Sequence, residues 1–180
     1  MKATGIVRRI DDLGRVVVPK EIRRTLRIRE GEPMEIFTGR EGEIVLKKYS
    51  PIGELSKYAR EFADAISFVT GCLACISDHD QIVAASGPDQ KEYNQKAISP
   101  ELEKMIANRE SAQIEGNGDK HIRFVESQDE NHMSAVIQPI ISAGDAIGSV
   151  IIASGKKEIG DAEKKMAQMA AVFLGKQMEN

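Results

Sequence analysis

Residues 14–26 read GRVVVPKEIRRTL and join a short apolar strand to a short basic helix. Proline fixes its own backbone near helical values and favours extended geometry in the residue before it. Pro19 therefore predicts that a strand ends at Val18 and that a helix begins directly afterwards. On this helix Ile22 and Leu26 are four residues apart and share one face. The stretch predicts a helix that is apolar on one side and cationic on the other.

The cationic side of the helix belongs to a strongly basic segment. Its members recur at spacings of three and four residues and are Lys20, Arg23, Arg24 and Arg27. Residues 1–29 hold 9 Lys and Arg against 3 Asp and Glu, a net charge of +6. Residues 51–180 hold 13 against 20, a net charge of −7, so the total of −3 hides two opposite parts. This asymmetry is typical of a chain in which one part binds nucleic acid.

Residues 1–50 have the pattern of a small, mainly β domain. Strands are predicted at residues 4–9, 16–18, 34–38 and 43–48, with a turn at residues 11–14 and the helix between the two hairpins. Ile36, Ile44 and Leu46 are the predicted core positions of the second hairpin. A fold of about 50 residues without a disulfide or a metal rarely buries enough apolar surface to be stable alone. We therefore predict that two copies share one core.

The run MKATGIVRRIDDLGRVVVPKEIRRTL at residues 1–26 resembles the AbrB-type transition-state regulators, and the resemblance extends through IVLKKY at residues 44–49. It implies that residues 1–50 form a swapped-hairpin dimer with a looped-hinge helix that binds double-stranded DNA. In that family the arginines matching Arg8, Arg15, Arg23 and Arg24 contact DNA. Guanidinium groups suit this role because they donate paired hydrogen bonds to phosphates or guanine edges. The alternative is an ordinary solvated helix face.

Residues 51–180 have the pattern of an α+β domain with an antiparallel sheet. Ser50 and Pro51 predict the start of an amphipathic helix that ends at Gly71 and connects the two domains. Further strands are predicted at residues 72–77, 81–86, 122–125, 135–141 and 146–154, with helices from Ser99 and from Asp161. The run SAVIQPIISAGDAIGSVIIAS at residues 134–154 resembles the closing hairpin of GAF domains. The resemblance implies a GAF-like sensor or oligomerisation domain, with residues 51–70 as its connecting helix.

The second domain offers few residues for catalysis or metal binding. Cys72 and Cys75 have C-x-x-C spacing, but on a strand they would point to opposite faces, which favours buried structural thiols over a redox or metal pair. The three histidines, His79, His121 and His132, match no zinc-binding pattern. No phosphate-binding glycine loop or nucleophile elbow is present either. We predict no catalytic residues, no metal and no cofactor, and a redox-active GAF-type enzyme stays open as an alternative.

The last predicted helix carries an apolar row, formed by Ala162, Met166, Met169 and Phe173. Rows of this kind are more often core or subunit contacts than cofactor sites. The chain contains no apolar run long enough to span a membrane and no signal-peptide pattern, and two cysteines suit a reducing compartment. These features predict a cytoplasmic, nucleoid-associated protein without a membrane partner.

The whole chain resembles sporulation regulators that join an AbrB-type head to a GAF-like body. This resemblance implies a sequence-specific activator and repressor of late sporulation genes that acts as a homodimer or homotetramer, with an unidentified small-molecule effector at the GAF-like domain. The alternative is an antitoxin-like autorepressor that neutralises a toxin partner, because antitoxins share similar N-terminal domains. The long second domain speaks against that alternative.

Overall fold

The computed structural model describes residues 5–40, 42–49, 56–116, 118, 121–127 and 133–179. The chain divides into two compact units, residues 1–49 and residues 50–180, called here the N-terminal unit and the C-terminal unit. The predicted helix start at Ser50 and Pro51 lies outside the described residues, and so does His132.

The N-terminal unit contains helix α1 (Lys20–Thr25) and an antiparallel hairpin of strands β1 (Met34–Thr38) and β2 (Ile44–Lys48). Pro19 directly precedes α1, and no side chain caps the start of the helix. The helix and the second hairpin are confirmed, with a pairing register that places Ile36 opposite Leu46.

Residues 5–19 form the predicted turn but no strand. The N–H of Gly14 donates to the carbonyl of Asp11 at 3.0 Å, and the N–H of Asp11 donates to the carbonyl of Arg15 at 3.1 Å. The strands predicted at residues 4–9 and 16–18 are wrong for the single chain, although Thr4 itself lies outside the described residues. A strand requires a neighbour for its N–H and C=O groups, and in this chain these segments do not pair with each other.

None of the described residues of the N-terminal unit is buried. Ile36, Ile44 and Leu46 lie on one face of the β1–β2 hairpin, where they are 67%, 67% and 45% exposed. Their prediction as core positions is therefore wrong for the single chain. The physical reason is size, since a hairpin and a six-residue helix cannot surround an apolar interior.

The C-terminal unit is built on a five-stranded antiparallel sheet with the order β4-β3-β7-β6-β5. Its strands are β3 (Leu73–Ser77), β4 (Ile82–Ser86), β5 (Ala112–Ile114), β6 (Ser134–Ser142) and β7 (Asp145–Ser154). Its helices are α2 (Ser56–Thr70), α3 (Gln90–Tyr93), α4 (Pro100–Ala107) and α5 (Asp161–Gln177). One apolar core joins the sheet to α2 and α5, and a second core lies with α4. The predicted α+β class is confirmed.

The predicted strand at residues 122–125 is wrong, because only Val125 makes an isolated bridge, to Ile98. Phe124 and Val125 are apolar because they fill the core beside α4. Strand β5 was not predicted, since its three residues are too few to show alternation.

The two cysteines lie on opposite sides of the sheet, as predicted. Cys72 belongs to the core with α2 and α5, and Cys75 belongs to the core with α4. Both are buried free thiols, and burial raises the pKa of the Cys75 thiol.

Most of the apolar row predicted on the last helix does not line the core, although Met166 packs against it. Helix α5 instead buries a row of small residues and one leucine, namely Ala167, Ala170, Ala171 and Leu174. Ala162, Met169 and Phe173 are exposed, and Met166 is half-buried. The core interpretation of this row is therefore confirmed for Met166 and wrong for the three exposed residues, whose interpretation as a subunit contact remains a prediction.

Candidate nucleic-acid interface

Asp11 orients the side chain of Arg15 within the turn of the N-terminal unit. Its Oδ1 accepts hydrogen bonds from the N–H groups of Leu13 at 3.0 Å and Arg15 at 2.7 Å. Its Oδ2 accepts the Nε–H of Arg15 at 2.8 Å. The Arg15 backbone bond, followed by the Arg15 side-chain bond, holds the pKa of Asp11 below its usual range. The Arg15 side chain is still 70% exposed, so the carboxylate positions the guanidinium without burying it.

Arg8 precedes the turn in the sequence, whereas Arg15 follows it. Its residue is exposed, and its Nη1 donates to the carbonyl of Val7 at 3.1 Å. This bond to an adjacent residue uses one of the five guanidinium donors. Arg8 can therefore present its other donors to a ligand while it keeps this bond.

Arg23 and Arg24 are neighbours on α1 and differ in exposure. Arg24 is exposed, whereas Arg23 is half-buried and its Nε is a buried donor without a hydrogen-bond partner. Buried donors without partners are unfavourable, and a ligand oxygen within reach would remove that cost. The structure thus places the four predicted arginines in one unit, two beside a turn and two on a helix.

The chain leaving α1 is anchored to strand β2. The ammonium group of Lys48 donates to the carbonyl of Arg27 at 2.7 Å and forms an ion pair with Glu32 at 3.4 Å. Glu32 also accepts the N–H of Arg29 at 2.7 Å. These contacts fix the end of the arginine-bearing helix relative to the hairpin.

Asp11 is a residue of the candidate interface that the sequence pattern did not single out, because it was assigned only to a turn. Its signal was an aspartate four residues before an arginine across a glycine turn. A short acidic side chain in such a turn can accept backbone N–H groups and still reach a guanidinium.

The C-terminal unit carries an exposed aromatic cluster where α2 and α5 meet. The ring centroid of Phe173 lies 4.9 Å from that of Phe62 and 6.4 Å from that of Tyr58. Tyr58 is 42% exposed and Phe173 is 38% exposed, and the nearby helix position Met169 is 58% exposed. Tyr58, Phe62, Met169 and Phe173 are called here the aromatic face.

The described residues contain neither a metal-binding group nor a membrane-spanning helix. No group of three or more His, Cys, Asp or Glu residues in that part of the chain could hold a metal ion. Over the same residues, no helix has the length and hydropathy of a membrane span.

Comparison with known proteins identifies relatives of both units. Residues 54–179 match the family model described as stage V sporulation protein T C-terminal, transcription factor, and residues 7–54 match the family model described as antidote-toxin recognition MazE, bacterial antitoxin. The N-terminal part is 59% identical over 51 residues to the transition state regulatory protein AbrB of Bacillus subtilis, which covers 28% of this chain and 52% of AbrB.

The fold of the C-terminal unit is similar to that of the cofactor-binding GAF domain of the nutrient sensor CodY from Clostridium difficile. The TM-score is 0.53 at 15% identity, over 69% of this chain and 93% of that domain. The predicted GAF-like fold is therefore confirmed.

A further relative is similar to this chain over both units. Stage V sporulation protein T of Bacillus subtilis is 51% identical over 179 residues, which is 99% of each chain. Together with the family model that matches residues 54–179, this similarity shows that the chain belongs to the stage V sporulation protein T family of transcription factors.

Proposed function

We propose that residues 1–50 are an AbrB-type domain that binds double-stranded DNA through Arg8, Arg15, Arg23 and Arg24. The observation that carries this proposal is the Asp11–Arg15 pair, which holds an exposed guanidinium in a defined orientation within a segment of net charge +6. Arginines that are oriented before binding lose less side-chain freedom when they contact phosphates or base edges.

The DNA-binding form is a dimer made through the N-terminal unit. This inference is supported by the exposure of Ile36, Ile44 and Leu46, which together form an apolar face that water would otherwise cover. The absence of internal pairing in residues 5–9 and 16–18 also supports it, because strands from a second copy can pair with these segments.

Residues 51–180 form the sensor and oligomerisation domain, with residues 51–70 as the connecting helix. The aromatic face supports assembly of two dimers into a tetramer, because it consists of three aromatic residues and a methionine. These residue types are enriched in protein interfaces. The GAF fold supports binding of a small effector in the same unit.

The resulting activity is the activation and repression of late sporulation genes by a regulator that has no enzymatic activity. Membership of a family of sporulation transcription factors supports this activity. Binding to chromosomal DNA places the protein in the cytoplasm, on the nucleoid.

The test compares the salt dependence of DNA binding in Arg15→Ala, Arg23→Ala and Arg60→Ala. Each phosphate neutralised contributes about 0.9 to the slope of log K against log salt, so losing one contact from both copies of a dimer should lower the slope by about 1.8. Arg60 is an exposed residue of α2 and serves as the charge-matched control. Slopes and affinities of Arg15→Ala and Arg23→Ala that equal those of Arg60→Ala would contradict the assignment.

The second candidate function is neutralisation of a toxin by a self-repressing antitoxin. The match of residues 7–54 to the MazE antitoxin model favours it. Co-purification of the full chain from its own host, followed by mass spectrometry, separates the candidates. A stoichiometric small partner whose toxicity the chain suppresses would establish the antitoxin function.

A further inference from the structure

A cavity of about 410 Å³ lies at one end of the sheet in the C-terminal unit. Its walls are the end of α2, the start of β3, helix α3 and the loop between β7 and α5. The volume falls within the range of roughly 300–1,000 Å³ that is typical of small-molecule sites. It has room for a ligand of the size of an amino acid or a dipeptide.

The inner part of the cavity is apolar. It is lined by Leu73, Tyr93, Met133 and Ala153, of which the first two and the last are buried. The hydroxyl of Tyr93 donates to the Sδ of Met133 at 3.8 Å. A thioether is a weak acceptor, so a ligand oxygen would be a better partner for this hydroxyl.

Charged residues of both signs line the same cavity. Lys156 and Lys157 come from the loop between β7 and α5, and Asp89 and Glu92 come from the region of α3. Lys157 is engaged in an ion pair with Glu163 at 2.9 Å. Within the described part of the chain, the side chains of Asp89, Glu92 and Lys156 form no ion pair with one another or with other residues. One cationic and two anionic groups therefore line the cavity without neutralising each other.

The loop that carries the lysines is held in shape. The hydroxyl oxygen of Ser154 accepts the backbone N–H groups of Lys156 at 3.1 Å and Lys157 at 3.2 Å. Lys157 further ties the loop to Glu163 in the first turn of α5. The position of Lys156 beside the cavity is thus set by the fold of the loop.

We propose that this cavity binds a zwitterionic small molecule with an apolar side chain, of the class of free amino acids. Lys156 binds the carboxylate, Asp89 and Glu92 bind the ammonium group, and the side chain packs against Leu73 and Ala153. This inference rests on the proposed sensor function of the C-terminal unit and names the ligand class for it.

The site contacts the two helices that carry the aromatic face. Thr70 and Gly71, at the end of α2, line the cavity, and the loop from Gly155 to Lys157 leads into α5. A ligand held between these ends favours one arrangement of α2 and α5, and so changes the affinity of one aromatic face for another. Ligand binding is therefore expected to change the tetramer dissociation constant.

The experiment titrates the full chain, carrying ¹³C-methyl methionine, with L-leucine, L-methionine and L-phenylalanine, and records the Met133 methyl signal assigned by Met133→Leu. At least one free amino acid should shift this signal in a saturable manner. The N-acetyl and amide derivatives of the same amino acid should bind roughly tenfold more weakly, because each lacks one charge. Lys156→Gln and Glu92→Gln should weaken binding similarly, whereas Lys164→Gln on the exposed side of α5 should not.

No saturable shift with any of the three amino acids would overturn the proposal. Binding of both derivatives as tightly as the free amino acid, or unchanged binding by Lys156→Gln, would overturn it as well. A derivative that binds better without its ammonium group would instead indicate a simple carboxylate ligand.

DNA binding is measured on the same sample without ligand. If DNA binding is present while the Met133 signal does not respond, the ligand site is wrong and the DNA-binding function stands. If DNA binding is absent from the unliganded wild-type chain, the proposed function itself fails.

Discussion

If the aromatic face joins two dimers, as proposed, replacing Phe173 by alanine should separate the tetramer into dimers without unfolding the chain. Phe173 is 38% exposed and in contact with two other rings at the edge of α2 and α5. A phenylalanine side chain presents about 200 Å², so about 75 Å² of it is open to a partner. At about 25 cal/mol per Å², covering this area contributes about 2 kcal/mol.

A two-fold symmetric contact uses the same residue twice, which doubles the loss to about 4 kcal/mol. Since 1.4 kcal/mol corresponds to a factor of ten, the tetramer dissociation constant should rise by about a thousandfold. Sedimentation velocity over a range of concentrations measures this constant directly. Phe173→Leu is the matched control, because it keeps most of the apolar area and should change the constant far less.

The Phe173→Ala variant must remain folded at the temperature of the assay for the comparison to be valid. The exposed 38% of the side chain contributes nothing to folding, but the covered part, about 125 Å², packs within the chain, so the free energy of unfolding should fall by about 3 kcal/mol. A folded Phe173→Ala variant with the wild-type dissociation constant would show that the aromatic face is not the contact between dimers.

Three further predictions concern individual groups. The pKa of Asp11, followed by NMR, should lie below its usual range and rise only part of the way back in Arg15→Ala, because the backbone N–H bonds from residues 13 and 15 remain. Because the folded-state pKa is lowered, these bonds stabilise the turn at neutral pH, and this stabilisation is lost as the pH falls through that pKa. Gly175→Ala should destabilise the chain to urea by roughly 1–3 kcal/mol, since a Cβ there would overlap the carbonyl oxygen of Ile141. Cys75 should resist thiol reagents at pH 8 in the folded chain and react only after unfolding, because burial raises its pKa.

Periodicity predicted the elements whose neighbours lie close in sequence. The hairpin of β6 and β7 was predicted because two long apolar strands flank a turn at Ala143 and Gly144, where both residues have positive φ. Helix α4 was predicted from Ser99 and Pro100, and the Ser99 hydroxyl does accept the N–H of Leu102. These signals are local, so the sequence alone contains them.

The sequence could not predict which apolar residues the single chain buries. Phe124 and Val125 have the apolar character of strand residues, yet they lie in a loop and their side chains fill the core beside α4. Met169 and Phe173 have helical spacing, yet α5 packs through alanines because small residues let it approach the sheet closely. Whether an apolar residue meets its own chain or a second copy is decided by packing partners that periodicity does not encode.

The candidate DNA-contact residues also combine features that the sequence predicts with features that depend on packing. The types and positions of Arg15, Arg23 and Arg24 could be identified from charge and family resemblance. The acceptor on Asp11 and the buried Nε of Arg23 depend on turn geometry and packing, which only the structure describes.

Both units leave apolar surface exposed, and the proposed function uses this surface to link self-association to DNA binding. In the N-terminal unit the exposed residues include the predicted core positions Ile36, Ile44 and Leu46. We expect a second copy to cover them, so that the arginine surface is complete only in a dimer. In the C-terminal unit the core is complete without them, so the aromatic face can separate while the chain stays folded. Losing the first contact should abolish DNA binding, whereas losing the second should remove only the gain from holding two dimers on one DNA. An effector that acts at the ends of α2 and α5 can therefore adjust DNA occupancy without altering the arginine surface itself.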